Sequence, residues 1–377
     1  MAAASTDAHD LVDAVRRYAR DVLAPAAAGI DASGRSATTH LDSLGDMGLM
    51  GLAIPESYGG LGLAPTALFE AVAAIAGACG STASMITAHW LATDSIVYGG
   101  DAAQKQRWLP AAAQRSLGAF ALTEPGAGSN PADMTTCATR ERERDGYRIT
   151  GTKHFISNAG EADFIVVYAK TDPAAGARGI SAFVVDPRSG GVRCSKPEPT
   201  MGLNGGHVFE VALDCHLPEA SRLGPEGSGL RTALRVLDGG RVEIAACAVG
   251  IADAALAASI AWVKERKVGG HPIAEFQGLQ WMLADMATDL EAARQLGLAA
   301  ARKREAGERY SREASMAKLH ASEMAGRVTD KAIQIHGGYG YTRALPLERY
   351  ARDVRIFRIF EGSSEIQRNI IARALLG

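Results

Sequence analysis

The sequence predicts an α+β protein, mostly α: an N-terminal α-helical domain, a central antiparallel β-barrel or sandwich domain, and a C-terminal four-helix bundle. Three observations predict it. Apolar residues recur at helical spacing up to about Leu117, the texture turns to short segments rich in Val, Ile, Phe and Tyr near Gly118, and long helical patterns return from about Gly229. The expected divisions are therefore residues 1–117, 118–228 and 229–377.

In the first region "DAHDLVDAVRRYARDVLAPAAAGI" sets Leu11, Val15, Tyr18, Val22 and Leu23 along one helical face. "PTALFEAVAAIAGACGSTASMITAHWLATDSIVYGG" reads as two helices broken at Gly80, and "GLAIPESYGGLGL" as a glycine and proline loop. In the second, "GYRITGTKHFISN", "ADFIVVYAKT", "ISAFVVD" and "HVFEVALDCHLP" are bounded by Gly, Pro and Asp clusters. With no helices between them, these strands are expected to pair antiparallel. The third region carries three long helical patterns, and a helix after Ser363 completes a bundle of about four.

Composition excludes several classes. A formal net charge of −2 and a pI near 6.5 give no basic field to gather nucleic acid. The five cysteines (Cys79, Cys137, Cys194, Cys215 and Cys247) show neither C-x-x-C nor metal spacing and read as thiols of a reducing compartment. The N-terminus lacks the apolar core of a signal peptide, so a cytoplasmic protein is expected. "AACAVGIADAALAASIAWV" imitates a membrane span, but Asp253 in its middle and its alanine-rich composition favour a buried bundle helix.

Hydrolase and metal motifs are absent: there is no G-x-S-x-G, no H-E-x-x-H and no G-x-G-x-x-G, and the nine histidines are spread singly. "FALTEPGAGSN" is a turn, or a source of backbone N–H groups and the hydroxyls of Thr123 and Ser129 for a polar ligand. "HGGYGY" is a helix stop, or a close approach of backbone to a phosphate-bearing ligand. Arg349, Arg352, Arg355 and Arg358 read as a solvated helix face paired with Glu348 and Asp353.

"IFRIFEGSSEIQRNIIAR" is the most pointed stretch. Ser364 and Gln367 stand at capping-box spacing, which starts a helix there and leaves Glu361 in the loop ahead of it, beside Phe360. One reading is an acid that stabilises the helix N-terminus. The other is a general base whose pKa is lifted toward the operating range by apolar neighbours.

Read together, "LTEPGAGSN", "KHFISNAGEAD", "LDGGR…ERKVGG" and "QIHGGYGYTRALPLERYARDVRIFRIFEGSSEIQR" resemble the acyl-CoA dehydrogenase family over nearly the whole chain. The resemblance implies an FAD-dependent enzyme that oxidises an acyl-CoA thioester to its trans-2-enoyl form and passes electrons to an electron-transfer flavoprotein. It implies that Glu361 removes the α-proton, with its own backbone N–H helping to stabilise the enolate. Phe120, Leu122, Thr123, Ser129, Phe155 and Ser157 are implied to contact the flavin, Ser129 also lying near the CoA chain. Arg266, Gln277, Gln334, Gly337 and Gly338 would hold the FAD diphosphate and adenosine across a subunit interface of a homotetramer. Ser363, Ser364 and Glu365 would contact FAD, and Asp238, Arg241, Phe360 and Gly362 the substrate.

Some positions depart from the family pattern. Gly269 stands where many relatives have Phe, which removes an aromatic contact near the adenosine; Phe155 and Ser157 stand for Trp and Thr. Gly240 occupies the place where some branched-chain members carry their base, so Glu361 has no rival there, and Glu243 is read as structural. Trp90, next to His89, would close the floor of the acyl pocket and favour short or branched groups. An oxidase or a desulfinase on the same scaffold, or a non-catalytic helical scaffold, are the competing readings; retention of the base argues against the desulfinase.

Overall fold

The computed structural model describes residues 2–377 and confirms the three-part order. Helices α1 (Ala2–Tyr18), α2 (Ala24–Ser33), α3 (Leu41–Asp46), α4 (Pro65–Ala78), α5 (Gly80–Gly99) and α6 (Ala102–Ala112) come first. A π-turn at Ala19–Leu23 follows α1. It adds a residue to the helical repeat, and this rotates Val22 out to solvent while Leu23 stays fully buried, against the single face expected from spacing. The break between α4 and α5 falls at Cys79, which is extended; Gly80 already opens α5.

Strands β1 (Gly118–Ala121), β2 (Cys137–Glu141), β3 (Gly146–Ser157), β4 (Phe164–Lys170), β5 (Ile180–Val185), β6 (Val192–Cys194), β7 (Val208–Pro218) and β8 (Arg222–Leu223) form one sheet. It is mixed rather than purely antiparallel. β1 runs parallel to β4 in the register Gly118↔Phe164 to Ala121↔Val167, and β2 meets β4 in parallel at Cys137↔Lys170. The chain between β1 and β4 is long enough to make β2 and β3 before it returns, which is what a parallel pairing needs. On β4, Phe164, Val166 and Tyr168 pack toward the helices, whereas Ile165, Val167 and Ala169 pack toward β3 and β7. Both faces are therefore buried, and the strand reads as a continuous apolar run.

Helices α7 (Gly229–Glu265), α8 (Gln277–Glu305), α9 (Ser311–His336) and α12 (Ser364–Leu376) build the C-terminal bundle, with α10 (Gly338–Tyr341) and α11 (Leu347–Val354) leading into the last. A hairpin of β9 (Lys267–Val268) and β10 (His271–Pro272) joins α7 to α8. α7 is long and apolar enough to cross a membrane, yet most of that stretch is buried among the other helices. Gly250 fits this core because a side chain there would collide with the backbone of Ala73 on α4. The four arginines do not share one face. The helix stops at Val354 and a 3-10 turn carries Arg355–Arg358. Arg352 grips Glu348 and also Asp31 on α2, at 2.6 Å each, whereas buried Asp353 accepts the Leu203 N–H instead of an arginine.

Candidate active site

A cavity of about 660 Å³ opens where α5, α7, the β1–β2 loop, the end of β3 and the start of α12 converge. Its volume lies in the range of small-molecule sites. The sequence-predicted Phe120, Leu122, Thr123, Ser129, Phe155, Ser157, Arg241, Phe360, Glu361 and Gly362 all line it.

Glu361 is the cavity's most unusual residue. Its φ of +52° is unusual for a residue with a side chain, and such strain concentrates at functional sites. Two buried groups hold the loop in that shape. Lys318 on α9 donates to the Gly362 carbonyl at 2.6 Å, and the Gln367 amide donates to the carbonyls of Glu361 at 3.2 Å and Gly362 at 2.8 Å. The Glu361 Oε2 is buried with no hydrogen-bond partner among the described residues. Desolvation pushes the carboxyl up to about 7, against the opposing pull of Lys318 and Arg241. The acid is thus poised near neutrality rather than paired.

Gly240 explains how a carboxylate fits here. A Cβ on it would press into Oε2 of Glu361 and lie 2.8 Å from Leu91 Cδ2. Its neighbour Gly239 makes room for Arg304, whose guanidinium pairs with Asp94 at 3.2 Å and Glu243 at 3.4 Å. Glu243 is buried, and burial raises its carboxyl to about 8.

Phe155 forms the opposite wall. β3 bulges between Lys153 and Ile156, so Phe155 takes φ +56° and keeps 62% of its surface exposed. An exposed aromatic face, the second aromatic Phe120 and the hydroxyls of Thr123, Ser129 and Ser157 suit a flat ring with a polar rim.

The remaining expectations divide. Arg266, Gln334, Gly337 and Gly338 line a separate groove of about 440 Å³ with Trp262 and Tyr339, and all four are exposed. Gln277 is exposed at the start of α8, outside both cavities. Asp238 does not line the cavity; it pairs with Arg241 at 2.6 Å and accepts from Ser311, so it steadies Arg241. The cap of α12 is Ser363, one residue earlier than expected. Ser364 instead donates to Glu323 at 2.7 Å, and Glu365 points to solvent, so this segment frames the site without lining it. Gly269 and Gly270 form the tight turn of the β9–β10 hairpin with φ +60° and +89°, a conformation that disfavours Phe.

Trp90 does not close the acyl pocket. It is buried in the helical core and donates to the Met50 carbonyl at 2.9 Å, while His89 Nδ1 accepts from Gly118 N–H. The cavity is lined instead by Ser84, Thr87, Ala88 and Leu91 on α5. Their i, i+3, i+4, i+7 spacing was readable as a stripe, but nothing in the sequence says which stripe of an all-buried helix meets a cavity. Lys318 was likewise missed, since it acts across a tertiary contact, and Gln367, expected at a capping box, instead turns back onto the Glu361 loop.

Matches to the acyl-CoA dehydrogenase N-terminal, middle and C-terminal domains span residues 5–116, 119–215 and 227–376. The chain is 40% identical over 363 residues to an acryloyl-CoA reductase (NADH) of Anaerotignum propionicum, covering 96% of this chain and 92% of that one. It is 40% identical to a short-chain specific acyl-CoA dehydrogenase of Clostridium acetobutylicum, covering 95% of each. Two solved structures superpose over 98% of this chain and 98% of theirs. One comes from work on the electron transferring flavoprotein of Acidaminococcus fermentans (TM-score 0.96, 40% identity), the other is butyryl-CoA dehydrogenase from Megasphaera elsdenii (0.95, 36%). With this cavity, this poised acid and these likenesses along its whole length, the chain belongs to the acyl-CoA dehydrogenase family of oxidoreductases.

Proposed function

We propose that the protein oxidises an acyl-CoA thioester to the trans-2-enoyl-CoA, with Glu361 as the base that takes the α-proton. One observation carries the assignment of the base: an unpaired, desolvated carboxylate on a strained loop, aimed into the cavity. A base with a pKa near the operating pH balances ionisation against proton affinity. The main-chain N–H of Glu361 takes no part in the turn that binds Ile359 and Phe360 back to Ile356, so it is free to stabilise an enolate oxygen. Arg241, held by Asp238, keeps positive charge beside the ionised base.

The wall of Phe155, Thr123, Ser129 and Ser157 would hold the flavin ring of FAD. When bound, FAD supplies the acceptor for the β-hydride. Arg266, Gln334, Gly337 and Gly338 are assigned to the diphosphate and adenosine of a neighbouring subunit's cofactor, within a homotetramer. Exposed Val268, Phe276, Trp281, Tyr339 and Tyr341 on the same end of the bundle support burial there by another copy. The cavity extends along Leu230, Leu234 and Leu237 to Asn369, Ile370 and Arg373, a path for the CoA arm. An electron-transfer flavoprotein is the proposed electron acceptor, and a cytoplasmic location is part of the reading.

Anaerobic addition of saturated acyl-CoAs from C4 to C12 and of branched ones, scored by flavin bleaching, tests the function. The short-chain names of relatives make butyryl-CoA the first substrate to try. Yellow protein that no acyl-CoA bleaches would refute the assignment, and peroxide formed with air as sole acceptor would move it to an oxidase.

A further inference from the structure

We infer that the buried Glu124–Lys153 ion pair is a positioning device for the flavin wall, locking the Leu122–Glu124 loop to the bulge that presents Phe155. The inference rests on the assignment of that wall to FAD made above. Lys153 is fully buried and Glu124 nearly so, and their charged atoms meet at 2.9 Å. Lys153 also donates to the Leu122 carbonyl at 3.1 Å. The second Glu124 oxygen accepts from the Thr135 N–H and hydroxyl at 2.7 and 2.8 Å, and the first also accepts from the Thr136 N–H at 3.0 Å. A main-chain bond from His154 N–H to the Thr123 carbonyl, 2.9 Å long, closes the link.

One acid therefore ties the start of the loop at Glu124 to the chain entering β2 at Thr135 and Thr136, and one lysine, two residues before Phe155, fastens that loop to β3. Burial lowers the Lys153 ammonium to about 8, and Glu124 is held near 2 because Lys153 and the Thr135 and Thr136 donors outweigh its desolvation. Both are charged at neutral pH. A buried pair contributes little net stability compared with apolar residues of the same volume, so geometry is the reason to keep one here. Phe155, at positive φ on a bulge, would otherwise relax toward the ordinary extended strand.

The test is Glu124→Gln combined with Lys153→Met, which removes both charges and leaves the single glutamine oxygen to accept from Thr135, the amide NH2 replacing the oxygen that met Lys153 and Thr136. Cofactor-free double variant should melt close to wild type, while exchange of the His154 amide, which donates to Thr123, speeds up at least tenfold and the FAD dissociation constant rises at least tenfold. Glu124→Asp, which keeps the charge and shortens the reach, should fall between the two. Unchanged exchange at the His154 amide, or wild-type FAD affinity in the folded double variant, overturns the inference. Wild-type protein that fails to bind FAD would sink the functional reading alone, because the exchange measurement judges the clamp without cofactor.

Discussion

The cavity around Glu361 and the groove around Arg266 are built by opposite logics. The cavity is lined here by a loop, a bulge and three helices, and buried Lys318 and Gln367 fix the loop that carries Glu361. The groove is an open shelf whose expected ligand residues, Arg266, Gln334, Gly337 and Gly338, all stand in solvent beside unpartnered aromatics. The difference teaches that the proposed base is held entirely by residues of its own chain, whereas the groove has no such internal support and is where a second copy is proposed to pack.

The contrast is most exposed at Glu361. Glu361→Gln should keep FAD and enoyl-CoA binding but lose turnover on the order of 10²–10⁴-fold, the usual worth of a positioned general base. Near-normal turnover would place the chemistry elsewhere. Next in size is Gly240→Ala, whose methyl would push on the carboxylate and on Leu91. The expected loss is on the order of 10–100-fold in kcat with FAD retained, because small displacements of a reacting group are costly. An unaffected kcat would show that the acid is not seated against α7 during catalysis.

The pH dependence comes third. With its carboxyl near 7, Glu361 is the active base only above that value, so kcat/KM should fall about tenfold per unit once the pH drops well below 7. The same shift makes a stability statement. The folded pKa is raised above the unfolded 4.5, so the ionised acid destabilises the fold increasingly from pH 4.5 to 7 and fully above. Cofactor-free Glu361→Gln should therefore be more stable than wild type at pH 8, on the order of 2 kcal/mol, with the gap closing toward pH 4.5. An equal gap at both pH values would mean the acid is not desolvated. The smallest effect is expected in the groove. Arg266→Ala should leave the fold and the intrinsic chemistry unchanged while weakening FAD retention severalfold, visible as loss of yellow colour on dilution; unchanged retention would remove that arginine from the cofactor's site.

Much of this was legible in the residues. The helical stripes, the strand segments of the central region and the acid in "FEGSS" follow from periodicity and local chemistry. The hydroxyls of Thr123 and Ser129 do so too, whereas Phe120, Phe155 and Ser157 came from the family resemblance; the fold brings the two segments together although Ser129 and Phe155 stand 26 positions apart. The misreadings have physical causes. Val22 left its stripe because a π-turn changed the helical phase. The cap slipped by one because Ser363 and Ser364 are chemically alike and only Glu323, brought by another helix, chose between them. Trp90 was assigned to the wrong side of α5 because that helix is buried nearly all round and carries no polar face to orient it.

The sequence by itself determined the order of helical and strand regions, the absence of hydrolytic and metal motifs, and a loop acid that the family resemblance marks as the base. These are properties of short segments, set by local spacing and side-chain chemistry. Only the tertiary structure decided that Glu361 lacks a partner among the described residues, that Gly240 leaves the space it occupies, and that Glu124 and Lys153 bind two segments of the cavity's surroundings together. Such facts depend on contacts between residues far apart in the chain, where desolvation and steric exclusion are fixed by packing and leave no local trace.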